Sequence, residues 1–190
     1  MIFLSASIPD QNRDQKYHST ADVVAIRDSI RALATIVIPK SYLVWGGHPA
    51  ITPLIWYVMS TMGKNAQQHI TLYQSNFFQK YFPKDNRFFE KIVVTEAGGD
   101  RNASLQIMRI RMLTEHHYKA GIFIGGMEGV EEEYAMFKEF HPQAPVFPIA
   151  STGAAARIVF DSEPNLDVRL LNEYAYMALF RSLFDGIIEF

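Results

Sequence analysis

Apolar residues along the chain fall into two kinds of run. Short, mainly apolar ones at 2–6, 42–45, 69–74, 92–95, 120–124 and 146–149 have the length of buried strands. Longer segments between them repeat at helical spacing. Val23, Val24, Ile26, Ile30 and Leu33 form one such stripe, with Thr20 as its expected N-cap, Asp22 in the first turn and Pro39 as its latest end. Residues 49–62 are apolar around most of their circumference and predict a buried helix stopped by Gly63. Further helices are expected at 103–117, at 130–140 before Pro142 and Pro145, and at 170–183 as a closing amphipathic element. Strands separated by helices need crossover connections, so the pattern predicts an α/β protein with a single Rossmann-like, doubly wound, mainly parallel sheet flanked by helices. In that architecture ligands bind at the carboxyl ends of the strands.

Composition narrows the class. No repeat or low-complexity tract divides the 190 residues, so one domain over 1–190 is expected. With 18 Lys+Arg against 20 Asp+Glu the formal charge is −2, which argues against a nucleic-acid binder working through bulk positive charge. The absence of cysteine excludes disulfides, thiolate-ligated metals and a thiol nucleophile. The run 1–4 is far shorter than a signal-peptide core, and no stretch reaches the roughly 18–20 apolar residues of a membrane span, so a soluble, cytoplasmic protein without membrane contact is expected. Aromatic residues reach 13%, with 14 Phe and 9 Tyr. Part of that excess is expected around 77–82 and 174–184, shared between a ring-stacking wall and a homo-oligomer interface, a dimer or tetramer.

Three strand ends carry candidate chemistry. Gly46-Gly47 and Gly125-Gly126 each follow a strand and precede a helix, where glycine permits a sharp turn and the next helix's free N–H groups face an anion. Ser5 and Ser7 give a small-residue turn after the first strand, and His48 stands beside the first glycine pair. In the acidic run Glu131-Glu132-Glu133, successive residues are a hundred degrees apart, so one carboxylate, Glu133, is expected to face the ligand edge while its neighbours face water. Glu128, within the loop, is the second candidate. Of Arg109 and Arg111, only one is expected to reach the pocket, with a surface ion pair to an acid such as Glu115 as the other fate. His116 and His117 are adjacent and lack a third ligand, so no metal site is expected.

Read in order, Ile2-Phe3-Leu4-Ser5-Ala6-Ser7, Trp45-Gly46-Gly47-His48-Pro49, Ser104-Leu105-Gln106-Ile107-Met108-Arg109 and Ile124-Gly125-Gly126-Met127-Glu128-Gly129-Val130-Glu131-Glu132-Glu133 together resemble the SLOG superfamily. That group includes the Lonely Guy phosphoribohydrolases, which cleave the base from a nucleoside 5'-monophosphate. In detail the chain looks closest to the SLOG domains associated with Sir2 and TIR domains in Thoeris-type antiphage defence, which sense a cyclic ADP-ribose-type signal. The enzymes of the superfamily carry Pro-Gly-Gly-x-Gly-Thr-x-x-Glu after a strand and an arginine on the preceding helix. Arg109 and Glu133 match that arginine and the final acid. Ile124 replaces the proline, Val130 replaces the phosphate-binding threonine, and one residue is inserted before Gly129.

The resemblance therefore implies a module that binds an ADP-ribose-derived nucleotide, with ligand contacts from Ser5, Ser7, Gly46, Gly47, His48, Arg109, Gly125, Gly126, Met127, Glu128, Gly129 and Glu133, no cofactor, and a TIR or Sir2 effector as partner. The alternative is an N-glycosidase of the Lonely Guy kind, with Glu133 and Arg109 as its catalytic residues.

Overall fold

The computed structural model describes residues 1–189, the side chains of Lys64 and Asn65 excepted. Six strands, β1 (Ile2–Ser7), β2 (Leu43–Gly46), β3 (Ile70–Ser75), β4 (Ile92–Thr95), β5 (Ala120–Gly125) and β6 (Val146–Ile149), form one sheet in the order β4-β3-β2-β1-β5-β6. Every pairing is parallel. The chain moves outward from β1 to β4 on one side and then returns to lay β5 along the opposite edge of β1. The order thus reverses between β1 and β5, where Ser5 lies beside Phe123 and Ser7 beside Gly125. The two strands are buried almost throughout, as expected of central parallel strands covered on both faces.

Helices cover both faces. On one, α2 (Val23–Val37), α3 (Thr52–Ser60) and α8 (Tyr176–Leu183) bury Ile26, Ile30, Ile55 and Phe180 against the sheet. On the other, α4 (Arg101–Thr114), α5 (Glu128–Phe140) and α6 (Ala154–Ser162) bury Met108, Met112, Phe137 and Val159. Two short helices, α1 (Gln15–His18) and α7 (Arg169–Asn172), sit within connections. Among the described residues no helix is long and apolar enough to cross a membrane.

Four expectations need correction. Asp22, not Thr20, caps α2, accepting from Ala25 N–H at 2.9 Å, while the Thr20 hydroxyl accepts from Ala154 N–H at 2.9 Å and ties this turn to α6. Val23 and Val24 are consequently in the first turn and exposed. Helix α6 is absent from the expected elements, although Ala155, Ala156 and Val159 form a buried stripe at helical spacing behind its N-cap Gly153, with φ +70°. The closing amphipathic segment is two helices, since Glu173 takes an extended backbone and its carboxylate accepts from Ala175 N–H at 2.7 Å. Tyr176, Phe180 and Phe184 are core residues packed beside α2, leaving Tyr174 and Met177 exposed, so most of that aromatic cluster is spent on folding.

Candidate functional site

A cleft of about 630 Å³ lies along the carboxyl ends of β1, β2 and β3 and the amino ends of α4 and α5, within the size range of small-molecule sites. It contains the β1–β5 reversal, where an open parallel sheet parts its flanking helices. Ser5, Ala6 and Ser7 line it from β1 and Gly46, Gly47 and His48 from the end of β2. Along α4, Arg101, Asn102, Leu105, Gln106 and Arg109 line one wall, the one-sided spacing of a helix. Phe78, Tyr81 and Phe82, from the segment after β3, add aromatic surface.

The acidic run is partitioned as helical geometry demands, and each acid has its own partner. Glu133 points into the cleft: Ser5 Oγ donates to its Oε2 at 2.6 Å and Arg109 Nε to its Oε1 at 3.2 Å. Both charged side chains are largely hidden, at 8% exposure for Arg109 and 13% for Glu133. Glu131 faces away and accepts from Tyr17 OH, with Lys16 Nζ 3.6 Å off. Glu132 is exposed to water and also stands at the cleft, where Arg109 Nη1 pairs with it. Glu128, in the first turn of α5, pairs with Arg13 from the β1–α2 connection. Arg111 points elsewhere and pairs with Glu115 at 2.7 Å. Three arginines (13, 101, 109) and three glutamates (128, 132, 133) therefore line the cleft. Its local field is close to balanced, and Arg109 is already engaged twice.

The glycines play roles the sequence does not reveal. Gly125 and Gly126 adopt φ of +55° and +86°, and their N–H groups donate to Thr152 Oγ1 at 2.9 Å and Ser7 O at 2.8 Å. They build the turn, do not line the cleft, and spend these two N–H groups on bonds within the protein. Met127, Glu128 and Gly129 do line the cleft, and no side chain caps this end of α5. A β-carbon on Gly129 would lie 2.9 Å from Arg109 Nη2, so this glycine admits the guanidinium against the helix. At Gly47 a β-carbon would lie 2.6 Å from Gln74 Nε2.

His48 Nδ1 accepts from Ala50 N–H at 3.2 Å, which leaves the proton on Nε2. Burial pushes its pKa down to about 4, so a neutral imidazole lines the cleft at neutral pH. Sequence reasoning missed Arg13, Arg101, Gln74 and Asn102. Of these only Gln74 left a trace, as the one amide side chain within an otherwise apolar strand run. Tyr73 OH bonds Glu115 and His116 at 2.7 and 2.8 Å, and those bonds place His116 in a packing network outside the cleft. Among the described residues no group of three His, Asp or Glu is placed to hold a metal ion.

No curated protein matches the chain. A family model described as the SLOG cluster3 family matches residues 16–184, a span that takes in α2 through α8, the acidic run and the cleft arginines except Arg13. With an all-parallel sheet whose order reverses at the cleft and a match over most of its length, the chain belongs to the SLOG cluster3 family.

Proposed function

We propose that the cleft binds an ADP-ribose-derived nucleotide, of the cyclic ADP-ribose type, and that the protein senses this signal in bacterial antiphage defence. Membership of the SLOG family supports a nucleotide-related role. The observation that carries the finer reading is the charge arrangement around α5. Glu128 sits in the first turn of the helix, at the end where a monophosphate would be drawn by the macrodipole, and it is tied to Arg13. Val130, where a threonine hydroxyl would bond phosphate, is 4% exposed and lies across Gly126. A compact doubly charged phosphate meets a carboxylate here. A ligand whose ribose hydroxyls donate to Glu128 and Glu133, with its charge spread along the cleft towards Arg101, matches the balanced lining better. Calorimetry against cyclic ADP-ribose isomers, ADP-ribose and NAD tests the reading; no binding to any of them at millimolar concentration would sink it. A TIR or Sir2 enzyme encoded beside this chain would support the sensing role.

A second reading rests on Glu133 itself. One of its oxygens is held by Ser5 and the other by Arg109, so the carboxylate has a fixed aim into the cleft, as stabilisation of an oxocarbenium-like ribosyl centre requires. Release of free base from AMP, NAD or a cyclic nucleotide by the wild type, but not by Glu133→Gln, would favour this N-glycosidase over the sensor.

A further inference from the structure

One polar element of the cleft stands outside the network of acids and arginines. Gln74, near the end of β3, is 3% exposed and lines the cleft. Its Oε1 accepts from Nδ2 of Asn86, which is 8% exposed and sits in the turn over Lys84–Phe88. That bond fixes the plane of the Gln74 amide and uses one of its two polar ends. The other end, Nε2, has no protein partner among the described residues and lies over Gly47, where the missing β-carbon leaves room for it. The N–H of Gly47 is itself taken by Tyr73 O at 2.8 Å. Glycine at this turn thus makes space for an amide whose donor end is open to the cleft and free to meet an acceptor there. The segment directly after β3 brings Phe78 and Phe82 into the same cleft. An aromatic face beside an oriented, uncharged N–H donor suits a planar heterocycle with ring nitrogens or carbonyls on its edge. It offers no positive charge of its own to a phosphate, which would call for one.

We infer that Gln74, held by Asn86 over Gly47, is the residue that reads the nucleobase, donating to an acceptor on the base edge while the segment after β3 takes the ring face. This rests on the nucleotide reading above and adds which residue sets base selectivity. The test compares ADP-ribose with its base-free counterpart, two riboses joined through a 5',5'-diphosphate, by isothermal titration calorimetry, so that the two probes differ only in the base. Gln74→Leu should weaken ADP-ribose at least tenfold and leave the base-free probe within twofold. Gln74→Glu keeps the shape and the bond from Asn86 but presents an acceptor in place of the donor, and should lose the preference for ADP-ribose in the same way; it secures the result if the leucine variant fails to fold. Asn86→Ala, which frees the amide to rotate, should lower the ratio of the two affinities by a smaller factor, because Asn86 acts only by positioning Gln74. Equal weakening of both probes, or unchanged ADP-ribose binding in both Gln74 variants, would overturn the assignment while leaving the nucleotide cleft standing. Wild-type protein that does not bind ADP-ribose would overturn this inference, and the absence of binding to NAD and the cyclic ADP-ribose isomers as well would overturn the nucleotide reading with it.

Discussion

Replacing Arg109 with methionine tests whether its guanidinium is part of the fold before any ligand arrives. Methionine keeps an apolar stem and removes the guanidinium with its charge and its N–H donors. The guanidinium is 8% exposed and pairs with Glu133, 13% exposed, and with the outer Glu132, 55% exposed. Removing one partner of a buried pair strands the other charge, typically at about 3–5 kcal/mol. The arm to Glu132 is largely in solvent and contributes at most about 1 kcal/mol. Ser5 still donates to Glu133 and the cleft admits water to it, which places the loss near the lower end, about 3 kcal/mol. In a chain of this size each kcal/mol moves the melting temperature by about 2–4 °C, so Arg109→Met should melt about 6–12 °C lower. Neutralising the stranded acid should recover part of that loss. Arg109→Met combined with Glu133→Gln is therefore expected to be more stable than the sum of the single effects, with a coupling of about 1–3 kcal/mol in a double-mutant cycle measured by urea unfolding. A single variant melting within 2 °C of the wild type, or two strictly additive variants, refutes the reasoning. In either case Arg109 would be free for a ligand phosphate, a role its present engagement disfavours.

Three further outcomes follow from particular residues. His48 has a folded pKa of about 4, below the roughly 6.5 of an unfolded chain, so its contribution is complete above about pH 6.5 and is lost as the pH falls towards 4. Between pH 7.5 and 5.0 urea unfolding should show the wild type losing about 2 kcal/mol more than His48→Asn, and equal losses would count against a buried neutral imidazole. Gly153 has φ +70°, and a β-carbon there would lie 1.8 Å from Thr20 O, so Gly153→Ala should give no soluble folded protein, whereas Gly99→Ala, with open space around it, should express and melt like the wild type. Arg13 and Glu128 are each about 40% exposed, and Arg13→Ala should cost no more than about 1 kcal/mol in thermal unfolding; a larger loss would show that this bridge holds the β1–α2 connection in place.

Strand order and the aim of individual side chains depend on different information. The six strands were legible from the sequence because strands of a parallel sheet are short and mainly apolar: β4 and β6 match their expected ends, and the other four differ by a residue at each end or less. Parallel pairing followed from the intervening helices, and Glu133 from the hundred-degree step of a helix applied to three consecutive acids. The order β4-β3-β2-β1-β5-β6 is a long-range outcome that no local pattern encodes. Nor does the pattern register the break at Glu173, which depends on a carboxylate turning back to one backbone N–H.

The two glycine pairs show the division most clearly. In sequence they read alike, as turns that bring backbone to an anion, because glycine's conformational freedom is a local property. Tertiary structure separates them. Gly125 and Gly126 use that freedom for positive φ and bond their N–H groups within the protein, while Gly47 yields its missing β-carbon to an amide from the next strand, twenty-seven residues further along. Periodicity and crossover geometry were enough for the strands, most of the helices and the class of sheet. Only the tertiary structure decided which charges were already spent on one another and which polar end, that of Gln74, was left to face the cleft, because pairing and burial are properties of residues brought together from distant parts of the chain.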